Sequence, residues 1–237
     1  MTRRRWIADE VSGNRASLTG AHADHLIRVL RARRGQQFDI SAGTAVRRGR
    51  IVNISDGRVE FELEEEVRAI ATSSITLLLA IFKFDRMEWA IEKCTELGVA
   101  RIMPVIARRT DAHLAAAAGK RTDRWRRIAL QAAEQSRRAT PPQIAEPVKL
   151  QQALNVEGAL RIVLSECEDQ SQFPDLLASG CEGEIVLAIG PEGGWGEDER
   201  RSFHTAGWIS ASLGPMILRA ETAAIAAMAM AISERSR

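Results

Sequence analysis

Cysteine is scarce in this chain. Cys94, Cys167 and Cys181 are too few and too scattered for a disulfide framework or a paired-cysteine metal site, and such usage suits a reducing, cytoplasmic setting. Long hydrophobic runs are missing too. The longest, Ala223 to Ile232, is ten residues and mostly alanine. That is about half a membrane span, so it reads as a buried helix and no membrane partner is expected. The opening MTRRRWIADE has no apolar stretch, which argues against a secretory signal. His22, His25, His113 and His204 lack any metal-ligand spacing, so no metal is expected. What remains is the composition of an ordinary globular protein, 45% hydrophobic and 27% charged over 237 residues, enough for one large domain or two smaller ones.

The net charge of +2 hides a segregation along the chain. Residues 1–50 carry 11 basic against 4 acidic side chains, and residues 101–140 carry 10 against 3. The intervening segment 51–100 and the remainder 141–237 are acidic, with balances of −5 and −7. Two arginine-rich blocks that converged in the fold would make a face for a polyanion, nucleic acid first among them. Arginine suits that task because its fork matches phosphate and its plane stacks on bases.

Patterning divides the chain in two. The first 70 residues read as short strands with one helix. Val46 to Ile54 and Arg58 to Glu66 flank the hairpin signal Ser55-Asp56-Gly57. Thr19 to Arg33 has helical periodicity. A small β-barrel with an inserted helix fits, and Glu64-Glu65-Glu66 followed by Ala69 to Ser74 marks the boundary, giving domains 1–72 and 73–237. From Ile75 the pattern changes to α/β. Ile75 to Phe82 is a continuous apolar run, expected for a strand covered on both faces of a parallel sheet. Asp85 with Glu88 predicts a capped helix ending at Gly98. Strands follow at Arg101 to Ile106, Leu160 to Leu164, Glu184 to Ile189 and Trp208 to Leu213. Helices are expected over Thr122 to Arg138 and Ala220 to Arg235. Alternation of this kind predicts a mostly parallel sheet.

Two strand-to-helix loops carry the chemistry. Ile189 runs into Gly190-Pro191-Glu192-Gly193-Gly194-Trp195-Gly196. Ligands of open α/β sheets sit at the carboxyl ends of strands, and glycine there lets the backbone approach a ligand. No Gly-Lys-Ser/Thr follows and the third glycine of a dinucleotide fingerprint is missing, so neither phosphate-binding motif is present. Glu192, Glu197, Asp198 and Glu199 would repel a pyrophosphate and suit a ligand with a positive centre. Trp195 is the tryptophan placed near such a ligand. The second loop, Leu213-Gly214-Pro215-Met216-Ile217-Leu218-Arg219-Ala220-Glu221-Thr222, again joins a strand to a helix through Gly-Pro, with Glu221 placed for the helix dipole.

LAIGPEGGWGEDE followed by SLGPMILRAETAAIAA resembles the SPOUT class of S-adenosylmethionine-dependent RNA methyltransferases, and within it the ribosomal RNA small subunit methyltransferase E family. Leu26 to Arg31 followed by Gly35, Lys83 to Met87, Lys93 to Val99, and Glu134 to Arg138 followed by Pro142 resemble further blocks of that family, in order. The chain departs from the family pattern at Arg137, where a small residue or glycine is frequent, and at Arg108, where glutamate is common. The resemblance implies a PUA-like β-barrel before an α/β domain whose carboxy-terminal end forms a trefoil knot, and a homodimer. It implies methyl transfer from S-adenosylmethionine to N3 of one uridine in the decoding region of 16S rRNA. Carried over by motif, Leu187, Ile189, Gly190, Glu192, Gly193, Gly194, Leu213, Gly214, Ile217, Leu218 and Arg219 would hold the cofactor. Arg138, Arg219 and Glu221 are the catalytic candidates. Arg3, Arg4, Arg28, Arg31, Arg33, Arg34, Arg109 and Arg126 are candidates for the RNA-binding surface. The competing expectation is a non-catalytic rRNA-binding or ribosome assembly factor on the same fold. A nucleotide-dependent metabolic enzyme would have to explain acids where phosphates should lie.

Overall fold

Ile75 to Ala80 contains no charged side chain and forms a strand with every residue buried. It is the centre of a parallel sheet. The computed structural model describes residues 5–43, 45–67, 73–168, 170–178, 180 and 182–235. Arg3, Arg4, Cys181 and Ala69 to Thr72 of the segment read as a domain boundary lie outside them. The chain divides into two compact units, residues 1–72 with 133–141, and residues 73–132 with 142–237.

The first unit is built on a six-stranded sheet of β1 (Arg5–Ile7), β2 (Glu10–Ser12), β3 (Arg15–Thr19), β4 (Gln37–Ala42), β5 (Ala45–Ser55) and β6 (Arg58–Val67). Their order is β1-β4-β5-β6-β3-β2, and all neighbours are antiparallel except β1 with β4. The two edges, β1 and β2, do not pair, so the sheet is an open half-barrel among the described residues. Asp56-Gly57 makes the β5–β6 turn. Trp6, Leu18, Leu26, Ile40, Ile51 and Phe61 fill its core. The segment read as one helix from Thr19 to Arg33 is shorter, α1 (Gly20–Asp24) followed by a wider π-type turn over His25–Val29. It stops before Arg31, which takes a left-handed φ of 49°.

The charge segregation seen along the chain partly cancels here. Arg50 of β5 faces Glu62 and Glu64 of β6 at 3.0 and 2.8 Å. Arg58 meets Glu10 and Glu60 at 2.7 and 3.3 Å. Antiparallel pairing sets a basic strand beside an acidic one, which linear charge counts cannot register.

Residues 133–141 join this unit through specific bonds. Ser41 Oγ donates to the carbonyl of Ala139, and the Arg5 guanidinium to that of Arg137. Glu134, buried, accepts from the Ile7 N–H at 3.5 Å, and one of its oxygens lies 3.3 Å from His22 Nε2.

The second unit contains β7 (Ile75–Ala80), α2 (Phe84–Glu96), β8 (Arg101–Ile106), α3 (Ala112–Ala117), α4 (Thr122–Gln135), β9 (Gln143–Ile144) and β10 (Val148–Lys149). It continues with α5 (Leu150–Ala153), β11 (Leu160–Leu164), α6 (Phe173–Ala178), β12 (Ile185–Ile189), α7 (Glu197–Thr205), β13 (Ile209–Ala211) and α8 (Ala220–Arg235). The last turn of α4 counts with the first unit. The strands run parallel in the order β10-β8-β7-β12-β11-β13, with β9 beside β8. Alternate residues of β12 feed opposite faces: Ile185, Leu187 and Ile189 pack with α2 and α8, Val186 and Ala188 with Trp195, Phe203 and Trp208. Burial on both faces is why these strands read as unbroken apolar runs.

Two of these helices have boundaries that differ from expectation, and a third was not expected. Helix α2 starts two residues earlier, with Lys83 as N-cap and no side-chain cap, so Asp85 sits in the first turn. Glu88 is used elsewhere, accepting from Arg124 at 2.6 and 2.8 Å. Helix α4 stops at Gln135 rather than Arg138, because Arg137 adopts a left-handed φ of 62° that a right-handed helix cannot contain. Helix α7 was not anticipated at all; its acidic start looked like ligand chemistry rather than a helix N-terminus.

Candidate active site

The carboxyl ends of β11, β12 and β13, neighbours in the sheet, point the same way, and the loops leaving them enclose a cavity of about 660 Å³, including its open mouth. Leu164 at the end of β11, with Ser165 and Glu166 of the first loop, lines one side. Ile189, Gly190, Pro191, Glu192 and Gly194 come from the second. Ser212 to Gly214 and Met216 to Leu218 come from the third, and Ala220 and Ala223 of α8 complete the wall. Met216 and Ile217 stand 77% and 87% exposed. Large apolar side chains held in water around an opening mark a surface that binds something.

The glycine loop is anchored from behind. Trp195 is buried and packs edge-on against Phe203, with ring centroids 4.9 Å apart, and Phe203 in turn against Trp208 at 5.1 Å. A Cβ on Gly190 would lie 3.2 Å from the Trp195 indole nitrogen, so glycine lets the loop close over this wedge. Gly194 has φ 69°, and a Cβ there would fall on the Glu166 carboxylate. Glu199, buried, accepts from the Gly196 N–H and the Arg108 N–H, both at 2.7 Å. It thereby fixes the start of α7 to the loop after β8.

Comparison with known proteins bears on this geometry. The family model of the RNA methyltransferase domain matches residues 70–232. The chain is 33% identical over 218 residues to ribosomal RNA small subunit methyltransferase E of Synechocystis, spanning 90% of this chain and 71% of the other. The chain belongs to the ribosomal RNA small subunit methyltransferase E family. The Bacillus subtilis member is 30% identical over 223 residues, 90% and 87% of the two chains. The crystal structure of the Neisseria gonorrhoeae member, bound to S-adenosyl methionine, superposes with a TM-score of 0.85 at 31% identity and 96% coverage of each chain.

Among the residues assigned to the cofactor by family motif, Ile189, Gly190, Glu192, Gly194, Leu213, Gly214, Ile217 and Leu218 line the cavity. Leu187 does not. It is two residues back along β12, wholly buried and paired in register with Leu77. Gly193 faces away, since its Cβ would meet the Arg109 side chain at 3.3 Å and its carbonyl accepts from the Arg109 guanidinium. Arg219 is exposed beside the cavity without lining it. Trp195 supports the loop rather than the ligand space.

The acids sort differently from the sequence reading. Glu197, Asp198 and Glu199 form the first turn of α7, where they favour the helix dipole. Asp198 pairs with Arg108 at 2.6 Å and also with Arg201, and these bonds hold its carboxyl below the usual range. Of that group only Glu192 reaches the cavity. It accepts from the Arg86 guanidinium at 3.0 Å, and that guanidinium lies 3.8 Å from the buried Glu221. The loop after β11 was missed, although the carboxyl-end rule applied to Leu160 to Leu164 would have pointed to it.

Arg138 belongs to the first unit, whereas Arg219 and Glu221 belong to the second. Arg138 is buried, and desolvation pushes its pKa down to about 10, which leaves it charged at neutral pH. Among the RNA candidates, Arg126 is held by Asp123, Glu146 and the Ile144 carbonyl at 3.0, 2.8 and 3.3 Å. Arg28 lies 3.5 Å from Asp24. Arg31, Arg33 and Arg34 are exposed with no ion pair among the described residues. No group of three histidines, cysteines or acids could hold a metal among the described residues. No described helix is long and apolar enough to cross a membrane.

Proposed function

We propose that the chain transfers a methyl group from S-adenosylmethionine to N3 of one uridine in the decoding region of 16S rRNA. The observation that carries the reading is the cavity at three adjacent strand ends, walled by both loops that mark the family. The S-adenosyl methionine held by the Neisseria gonorrhoeae member supports it. The lining also suits the cofactor: Leu164, Ile189, Leu213, Ile217 and Leu218 offer an apolar bed for adenine, and Gly194 lets the Glu166 carboxylate stand against the loop where a Cβ would collide with it. When bound, S-adenosylmethionine supplies an electrophilic methyl group on a sulfonium. In this reading the protein is cytoplasmic and works as a homodimer, its first unit is PUA-like, and its carboxy-terminal segment forms the trefoil knot.

The chain's own residues orient and exclude. Glycines of the loop after β12 bring backbone to the ligand, and the apolar third loop shields it from water. Uridine N3 carries a proton at neutral pH and becomes nucleophilic on losing it, so a fixed cation near the uracil carbonyls would stabilise the anion. Arg138 is the first candidate for that cation, with Arg219 next. Glu221, in the first turn of α8 and near Arg86, is better suited to holding that helix start than to accepting a proton. Arg31, Arg33 and Arg34 are the strongest candidates for phosphate contacts, followed by Arg28, then Arg109 and Arg126, whose guanidinia have protein partners.

The test is methyl transfer from labelled S-adenosylmethionine to 30S subunits lacking the modification, followed by nucleoside mass analysis. The expected product is 3-methyluridine. A different methylated nucleoside would remove the N3 assignment, and no transfer under saturating cofactor would remove the enzymatic reading.

A further inference from the structure

The carboxylates near the cavity are not equivalent. Glu192 is answered by Arg86 at 3.0 Å. Glu197 and Asp198 pair with Arg201, and Asp198 also with Arg108. Glu199 takes two backbone N–H groups. Glu166 differs from all of them. It lines the cavity on the loop after β11, and no described residue gives it an ion pair or a hydrogen bond. Its carboxylate rests where a Cβ on Gly194 would be, so it stands against the glycine loop. The left-handed φ of Gly194, 69°, serves the same approach. The cavity therefore joins an apolar wall to one formal negative charge without a protein partner.

We infer that Glu166 is the residue that answers the positive charge of the methyl donor, an inference that rests on the cofactor reading above. In open water such a carboxylate would attract a cation weakly. A ligand seated against Leu164, Ile189, Leu213 and Ile217 displaces that water, and the attraction strengthens as the local dielectric falls. The charge of Glu192 is already offset by Arg86, so Glu166 supplies the discrimination between a cationic ligand and a neutral one built on the same adenosine.

Glu166→Gln keeps the size and hydrogen-bonding reach of the side chain and removes its charge. The probes are S-adenosylmethionine and 5′-methylthioadenosine, which shares the adenine, the ribose and the methyl-bearing sulfur but, lacking the amino-acid arm, carries neither the sulfonium nor the ammonium. By calorimetry, E166Q should bind S-adenosylmethionine roughly tenfold more weakly than wild type, the scale of a lost charge-assisted contact. It should bind 5′-methylthioadenosine as wild type does. Glu166→Ala should show the same selective loss, and ligand-free melting temperatures should match, because the side chain holds nothing else. Unchanged affinity for S-adenosylmethionine, or equal weakening of both ligands, overturns the inference while leaving the cofactor reading intact. Wild-type protein that binds neither ligand overturns both.

Discussion

The Arg86 guanidinium donates to the Glu192 carboxylate across 3.0 Å, fastening the first turn of α2 to the glycine loop that leaves β12. The same guanidinium lies 3.8 Å from Glu221 in the first turn of α8. One side chain therefore ties together two of the elements that wall the cavity. Arg86 touches neither cavity nor ligand space by the lining given above, so it acts as a positioning residue.

Arg86→Ala should loosen the glycine loop without unfolding the protein, since partly exposed ion pairs contribute only about 0.2–1 kcal/mol to stability. Calorimetry should show weaker S-adenosylmethionine binding with nearly unchanged thermal melting. Arg86→Lys should restore part of the affinity, because the charge returns but the fork does not. Equal affinity in Arg86→Ala would show that the loop holds its shape unaided.

Neighbouring glycines should respond differently to the same change. Gly194→Ala forces a Cβ onto Glu166 and into a left-handed conformation, a backbone cost of about 1–2 kcal/mol. Cofactor affinity should fall sharply. Gly193→Ala meets only the flexible Arg109 side chain at 3.3 Å, and its affinity should stay close to wild type. Parallel titrations of the two variants check the contrast.

Arg137 holds a φ of 62° where α4 ends. Arg137→Gly removes strain of about 1–2 kcal/mol and adds unfolded-state freedom worth about 0.5–1 kcal/mol. The balance is a small gain in stability, readable as a higher urea midpoint. The bond from Arg5 survives, since it is made to the Arg137 carbonyl. A lower midpoint would mean that the arginine side chain itself contributes more than the strain costs.

The two described cysteines should differ in reactivity. Cys94 is fully buried between α2 and the sheet, and burial pushes its thiol up to about 12, whereas Cys167 is exposed. Native alkylation followed by peptide mapping should modify Cys167 well before Cys94. The linkage has a definite sign. The folded state keeps the Cys94 proton to higher pH than the unfolded chain, so this contribution is intact below about pH 8.5 and is lost as pH rises toward 12. Alkaline unfolding that exposes Cys94 should therefore grow steeper above pH 9.

The buried strands were legible because a strand covered on both faces has only one composition available, and Ile75 to Ala80 has it. The glycine loop after β12 was legible because it leaves such a strand at its carboxyl end; the loop after the short edge strand β13 was legible from its Gly-Pro and the helix that follows. Legibility stopped where the deciding partner lies far along the chain. Glu199 looked like ligand chemistry until its partners proved to be the Arg108 and Gly196 N–H groups. Arg126, a candidate for RNA contact by its charge alone, has Glu146 and the Ile144 carbonyl beside it, partners its own segment does not announce. The end of α4 was misplaced because helical periodicity continues through Arg138, while the left-handed turn at Arg137 comes with Ser41 and Arg5 holding the following carbonyls.

By itself, the order of residues determined the parallel α/β sheet, the hairpin of β5 and β6, and two of the three loops from which a binding cavity is made. These follow from periodicity, turn chemistry and glycine, which act over a few residues. Tertiary structure alone decided which acids are neutralised, which glycine faces the cavity, and that residues 133–141 belong with the first unit. Those outcomes depend on distances between segments dozens of residues apart, and a charge or a cavity wall acquires its meaning only from what stands across from it.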